Sequence, residues 1–362
     1  MTATASRTRT PHARTPKQRP LRTRTLRTRR FSVRVRPRVL VVGAALLVVT
    51  AVVFVLACVT GDFGLPVPEV LRVLAGGGEP GARFIVVEFR LPRAVAGILV
   101  GTALGASGAL FQSVTRNPLG SPDVIGFGSG AATGALIAIL MWHTSALGTS
   151  VAAVAGGAVT AAVVLLITWR DGLHSQRLII VGIGIAAMAT AVNAWLLSRS
   201  RVQEAEVAQL WLTGTLNGRT WDQVVPLAVV LAVLLPLAVA QSRGLGLLSL
   251  GDDTAEALGT PPRPTRVTAI VTGVALIGAS TAAAGPITFV ALVAPQIARR
   301  LTRAPGPGIA TSALTGALLL TGADVATQWA LPSVEVPAGI ATGLFGGAYL
   351  AWLLTRRGGP RD

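Results

Sequence analysis

The chain is poor in charge and almost devoid of cysteine. Of its 362 residues, 13% are Asp, Glu, Lys or Arg, against 51% hydrophobic residues. A soluble globule carries about a quarter charged residues, so this composition excludes an ordinary soluble domain. Cys58 is the single cysteine, which excludes a disulfide framework within the chain and reads as a small buried thiol of an apolar segment. The three histidines, His12, His143 and His174, fall in a tail or in loops, and no Cys/His/carboxylate set has the spacing of a metal site. No G-x-x-x-x-G-K-[ST] phosphate loop occurs, so ATP hydrolysis on this chain is excluded and no enzymatic chemistry is expected of it.

What charge there is, is unevenly placed. The formal net charge is +17, but residues 1–38 hold thirteen basic residues and no acid, which leaves +4 on the other 324. Such a Thr/Arg/Pro segment cannot bury a core and is expected to be a disordered cytoplasmic tail resting on anionic lipid. Binding of RNA or DNA by the tail is the rival reading. It would leave the rest of the chain unexplained. Thr28-Arg29-Arg30-Phe31-Ser32 ahead of an apolar run and Cys58 imitates a twin-arginine lipoprotein signal, but Val55-Leu56-Ala57 lacks the usual Leu three before the cysteine.

Apolar runs long enough to cross a 30 Å hydrocarbon core recur about ten times, near 39–59, 92–112, 122–141, 150–168, 178–198, 224–240, 267–285, 286–301, 307–326 and 336–354. The fold class is therefore all-α and polytopic: a tail over 1–38, a membrane domain over 39–355 and a short cytoplasmic end over 356–362. With the amino terminus inside, 25 of 32 basic residues lie on the inner side, and 12 of 19 do so without the tail. The positive-inside rule thus places both termini in the cytoplasm of a cell-membrane protein. Small residues, as in Gly101-Thr-Ala-Leu-Gly105-Ala-Ser-Gly108, predict close backbone packing between spans.

Several segments stand out. Arg90-Leu-Pro-Arg93 leads into the second span, with Pro92 suited to a first helical turn. Its two guanidinium groups either snorkel to headgroups or await carboxylates of a soluble partner. Asn117-Pro118-Leu119-Gly120-Ser-Pro122 is a tight inner reversal. Ser249 to Pro262 contains Asp253 and Glu256 in a capping-box-like spacing, with Gly259 and Pro261-Pro262 as stops, so a very short helix is expected in an inner loop.

Taken in order, these segments resemble the FecCD family of binding-protein-dependent permeases, which import iron–siderophores, haem and vitamin B12. The resemblance covers about 40–355. It rests on R-L-P-R at 90–93, G-x-x-L-x-x-S-G-x-x-F-Q at 101–112, N-P-L-G-S-P at 117–122, W-L-x-G-x-L-x-G-x-x-W at 211–221, G-x-x-x-A-x-x-L-G at 251–259, G-P-I-x-F-V-x-L-V-A-P at 285–295 and E-x-P-x-G at 335–339.

The resemblance implies a membrane permease subunit of an ABC importer carrying an iron(III)–siderophore inward, with vitamin B12 or haem as alternative cargo. An ion-gradient-driven secondary transporter is the remote alternative. Implied partners are an ATPase dimer that holds ATP and Mg, an extracytoplasmic substrate-binding protein or lipoprotein, a second permease (self or paralogue) and the lipid bilayer. No cofactor is implied on this chain. Arg90 and Arg93 become docking residues for the binding protein. The segment 249–262 becomes the coupling segment, with Gly251, Asp252, Asp253, Glu256, Leu258 and Gly259 facing the ATPase.

Candidates for the path are Ser107, Gln112, Thr190 and Asn193, which interhelical hydrogen bonds explain equally well. Asp324 reads as a helix–helix partner. The family usually carries an Arg shortly after that Asp. Here the position offers Gln328.

Overall fold

The computed structural model describes residues 24–27, 32–61, 63–122, 126–169, 175–332 and 334–357. Before the first helix, Arg24–Arg27 pairs antiparallel with Ser32–Val35. The rest of the basic tail ahead of Ser32 lies outside the described residues. Helix α1 (Pro37–Val59) is followed on the outer side by α2 (Val67–Leu74), α3 (Pro80–Phe84) and a π-helical turn (Ile85–Arg90) that runs into α4 (Leu91–Thr115). Helices α5 (Phe127–Leu140), α6 (Ala146–Trp169) and α7 (Ser175–Arg199) come next. After the short α8 (Val202–Leu212) and α9 (Trp221–Ala240), the inner loop carries α10 (Ser242–Leu248) and α11 (Asp252–Ala257). Helices α12 (Pro262–Ala284), α13 (Val290–Thr302), α14 (Ile309–Ala330) and α15 (Ala338–Arg357) complete the chain.

Among the described residues, ten helices stand where the ten spans were expected, namely α1, α4, α5, α6, α7, α9, α12, α13, α14 and α15. Seven helical stretches of at least 18 residues are apolar enough to cross a membrane. The expected span at 286–301 is shorter. It begins only at Val290, because Gly285 (φ +75°) and Phe289 (φ +67°) adopt conformations no α-helix accepts.

Helix α4 is the axis of the bundle. Its apolar window is 78% buried, against 11% for α1, so α4 is surrounded by protein and α1 lies on the outside of the bundle. The small-residue stripe explains how this is achieved. A Cβ placed on Gly101 would lie 2.7 Å from the Gly316 carbonyl carbon of α14, and one on Gly105 would lie 2.9 Å from that of Ser312. Backbones in van der Waals contact gain dispersion energy and exclude lipid, which apolar burial alone cannot drive inside a bilayer.

Pro92 stands in the first turn of α4, as expected, but the helical stretch Pro80–Thr115 is continuous, so a π turn and not a loop precedes that turn. A proline inside a helix strips one hydrogen bond and crowds the carbonyl four residues earlier. Here the preceding turn is widened to π geometry, and the Leu91 amide donates to Val86 instead.

Three motifs found far apart in sequence meet on the outer side. The Thr215 amide donates to Ala284, and the Gly339 amide donates to Gly214. Cβ atoms on Gly214 or Gly339 would collide with the Pro286 and Thr213 backbones. Irregular backbone at membrane depth must satisfy its polar groups against protein, and these three glycine-bearing turns do so against one another.

Candidate functional site

The inner face is organised around Asp252, the first residue of α11. Its carboxylate accepts two hydrogen bonds from Arg266 Nη2 of α12, at 2.8 and 2.9 Å, and a short one from Arg116 Nη2 at the end of α4. Arg116 also donates to the Leu248 carbonyl. Arg266 is buried, while Asp252 and Arg116 are each about two-fifths exposed. Burial alone would raise the Asp252 carboxyl, but the hydrogen bonds and charges of Arg266 and Arg116 outweigh it and hold the group below the ordinary carboxylate range. One anion thereby ties a six-residue helix to the inner ends of two spans. Its place at a helix N-terminus favours the negative charge further.

The local sequence dictates this geometry. Gly251 takes φ +115°, ψ 155°, a conformation open essentially to glycine alone, and so turns the chain into α11. At the other end Gly259 is left-handed, φ +77°. Its amide donates to Glu256 and the next amide, of Thr260, donates back to Ala255, which together make a Schellman stop.

The expected capping box is not formed. The helix starts one residue earlier than Asp253, Gly251 occupies the cap, and no side chain bonds it. Asp253 and Glu256 instead face solvent beside Leu258, 58% exposed, and Leu250, 62% exposed. Ala255 alone of the helix is buried. The outer side of α11 is thus a small acidic and apolar knob.

On the opposite membrane side the Arg90/Arg93 pair is divided. Arg90 is 7% exposed, and its guanidinium donates to the carbonyls of Cys58 (3.1 Å), Val59 (2.8 Å) and Phe63. It satisfies the last carbonyls of α1, which the helix cannot satisfy itself. The docking role expected of Arg90 is corrected accordingly: it is a buried clamp on α1 rather than a surface contact.

Arg93 forms a bidentate pair with Asp324, at 2.9 Å from Nε and 2.8 Å from Nη2. Gln328 Nε2 donates to the same carboxylate at 2.9 Å. Asp324 is buried, and it joins α4 to α14 as a helix–helix partner. Gln328 adds a neutral donor to that partner. Arg93, with its side chain a quarter exposed, borders an outer cavity of about 880 Å³ together with Asn217, Gln328, Trp329 and Glu335.

The four path candidates also separate. Ser107 is fully buried and donates to the Gly273 carbonyl of α12 at 2.8 Å. Gln112 donates to Leu292 at 2.9 Å and accepts from Arg299. Both are interhelical ties; Gln112 also borders an inner cavity of about 360 Å³ with Arg116, Leu245 and Arg299. Thr190 and Asn193 line a cavity of about 340 Å³ with Ser129, Thr281 and Thr288. Asn193 accepts from Thr133 at 2.7 Å and donates to the Ser129 carbonyl at 3.2 Å. Phe127, Leu212, Ile277 and Ile287 also line that cavity.

Sequence reasoning missed Arg116, Arg266 and Arg299 as site residues. Arg116 and Asp252 are 136 positions apart, and a lone arginine at a span end carries no local signal of its partner.

A bundle of ten helices, with seven helical stretches long and apolar enough to cross a bilayer, defines a multi-pass membrane protein. Residues 47–356 match the FecCD transport family. The chain belongs to that family. It is 42% identical over 316 residues to the ferric enterobactin transport system permease protein FepG of Escherichia coli (strain K12), covering 85% of this chain and 96% of that one. It is 36% identical to the Fe(3+)-citrate import system permease protein YfmE of Bacillus subtilis (strain 168), covering 86% and 94%. A solved structure described as an inward-facing conformation of a metal-chelate type ABC transporter superposes with a TM-score of 0.76 at 25% identity, covering 88% of this chain and 99% of that chain.

Proposed function

We propose that this permease is the membrane-spanning subunit of a binding-protein-dependent ABC importer that moves an iron(III)–siderophore into the cell. ATP and Mg are held and used by a separate ATPase dimer. A substrate-binding protein docks on the outer mouth beside Arg93, and a second permease completes the path that Thr190 and Asn193 line. The cargo assignment is supported by the relatives, whose names concern ferric enterobactin and ferric citrate.

The observation that carries the coupling is the double arginine clamp on Asp252. Force applied to the exposed knob of α11 passes through charge-assisted bonds into α4 and α12, and α4 touches most of the bundle. An element can transmit work only if it is rigidly joined to what it moves, and here the joint is an ion triad rather than a flexible loop.

Uptake by proteoliposomes holding the permease, its ATPase and the binding protein tests this reading. Internalisation of a ferric siderophore only with ATP inside is the expected result. Preference for vitamin B12 or haem would overturn the cargo. Uptake driven by an ion gradient without ATP would overturn the class.

A further inference from the structure

The face formed by α13, α14 and α15 is not explained by coupling or docking. It carries an apolar groove of about 450 Å³ between Val293, Ile297, Leu319, Gly322, Phe345 and Tyr349. At its inner end lies an exposed guanidinium, Arg300, over the rings of Tyr349 (5.7 Å) and Trp352 (5.5 Å). Among the described residues Arg300 meets no carboxylate. Arg38, from the start of α1, is exposed at the same edge, its Nε bonded to the Leu301 carbonyl at 2.8 Å. The Tyr349 hydroxyl is buried beside the groove without a hydrogen-bond partner.

We infer that this face is a binding site for one anionic phospholipid of the inner leaflet, with its phosphate on Arg300 and an acyl chain along the groove. Three features fit that occupant together. The groove runs up between spans and offers almost nothing polar, which suits a hydrocarbon chain and not a peptide. The cations gather only at its cytoplasmic end, at headgroup depth, where basic pockets between helices meet acidic headgroups. Trp352 and Tyr349 sit at that depth as interfacial aromatics do, and the face of each ring already orients the guanidinium. A zwitterionic lipid would fill the groove equally but would set its own ammonium against Arg300. The site discriminates by charge and not by chain.

The test uses the full-length permease in vesicles of phosphatidylcholine alone or with phosphatidylglycerol, followed by native mass spectrometry of retained lipid. The wild type retains phosphatidylglycerol in preference to phosphatidylcholine. Arg300→Gln lowers that preference about fivefold, the effect of one cation near an anionic surface. Gly322→Leu provides an independent arm: Gly322 lines the groove and a Cβ there meets nothing within 4 Å, so the added side chain starts from open space. It removes retained lipid of either kind while thermal stability is kept.

Undiminished phosphatidylglycerol retention in Arg300→Gln overturns the headgroup assignment. Unchanged retention in Gly322→Leu overturns the groove. Retention of a second copy of the chain instead of lipid, abolished by Gly322→Leu, overturns both.

Discussion

Asp252→Asn is the substitution that most directly separates a mechanical joint from a mere loop. It keeps the shape of the side chain and removes the charge that draws in Arg266 and Arg116. A hydrogen bond to a charged group contributes about 1.5–3 kcal/mol in a buried setting, whereas an exposed ion pair contributes about 0.2–1 kcal/mol. Arg266 is buried and Asp252 is 41% exposed, so the Arg266 bonds fall between these limits and the Arg116 bond near the lower one. The joint should lose about 2 kcal/mol in all, or about thirtyfold in the ratio of held to released α11. The global fold does not depend on this joint, because α4 and α12 remain packed through their own buried faces. In proteoliposomes with the ATPase and binding protein, Asp252→Asn is therefore expected to hydrolyse ATP at near wild-type rate while substrate moved per ATP falls severalfold. A double-mutant cycle with Arg266→Met should show that the two losses are not additive. Unchanged substrate moved per ATP in Asp252→Asn, with the protein correctly inserted, would refute the transmission argument.

The same carboxylate sets a pH dependence. Its folded-state pKa is depressed, so its stabilisation is fully present above the unfolded value of about 4 and is lost as pH falls through the folded one. Hydrogen-exchange protection across 249–262, taken relative to the unfolded chain at the same pH, should accordingly be constant between pH 5 and 8 and fall only in stronger acid. Gly101→Leu forces a side chain into the Gly316 backbone and should cost at least the 1–3 kcal/mol typical of overpacking, read as a lower melting temperature and poor insertion yield. Arg90→Met takes the donor from the Cys58 and Val59 carbonyls at the end of α1 and from the Phe63 carbonyl beyond it, and a loss of about 3 kcal/mol in stability is expected with no change in the salt dependence of binding-protein association. Arg93→Gln should do the reverse, with weaker association whose salt dependence is reduced, measured by titration of the binding protein at several ionic strengths.

The span architecture was legible because it follows from one-dimensional quantities. Runs of apolar residues, the side on which arginines fall and the stripe Gly101, Gly105, Gly108 each act locally, and the helices form where those quantities place them. The exceptions are local too. Span 286–301 was read four residues too long because positive φ at Phe289 has no signature in its residue type. Pro92 does stand in the first turn of α4, but the π turn that runs into it has no signature in the residue types. The site was less legible, since its chemistry is made of pairs between distant segments. Arg90 and Arg93 are three positions apart and look alike in sequence, yet one is consumed by carbonyls of α1 and the other meets a carboxylate 231 positions away. Which fate an arginine takes is decided by what the fold brings to it. Gln328 shows the same dependence. Read alone it is an expected docking cation gone missing; placed beside Asp324 it is a third hydrogen bond to the acid that holds Arg93. Because Asp324 already holds the Arg93 guanidinium at two points, a docking partner of the kind proposed would have to compete with that carboxylate for it. Under the proposed function, association at the outer mouth and the α4–α14 contact would then be linked through a single side chain, on the same helix whose inner end Arg116 ties to Asp252.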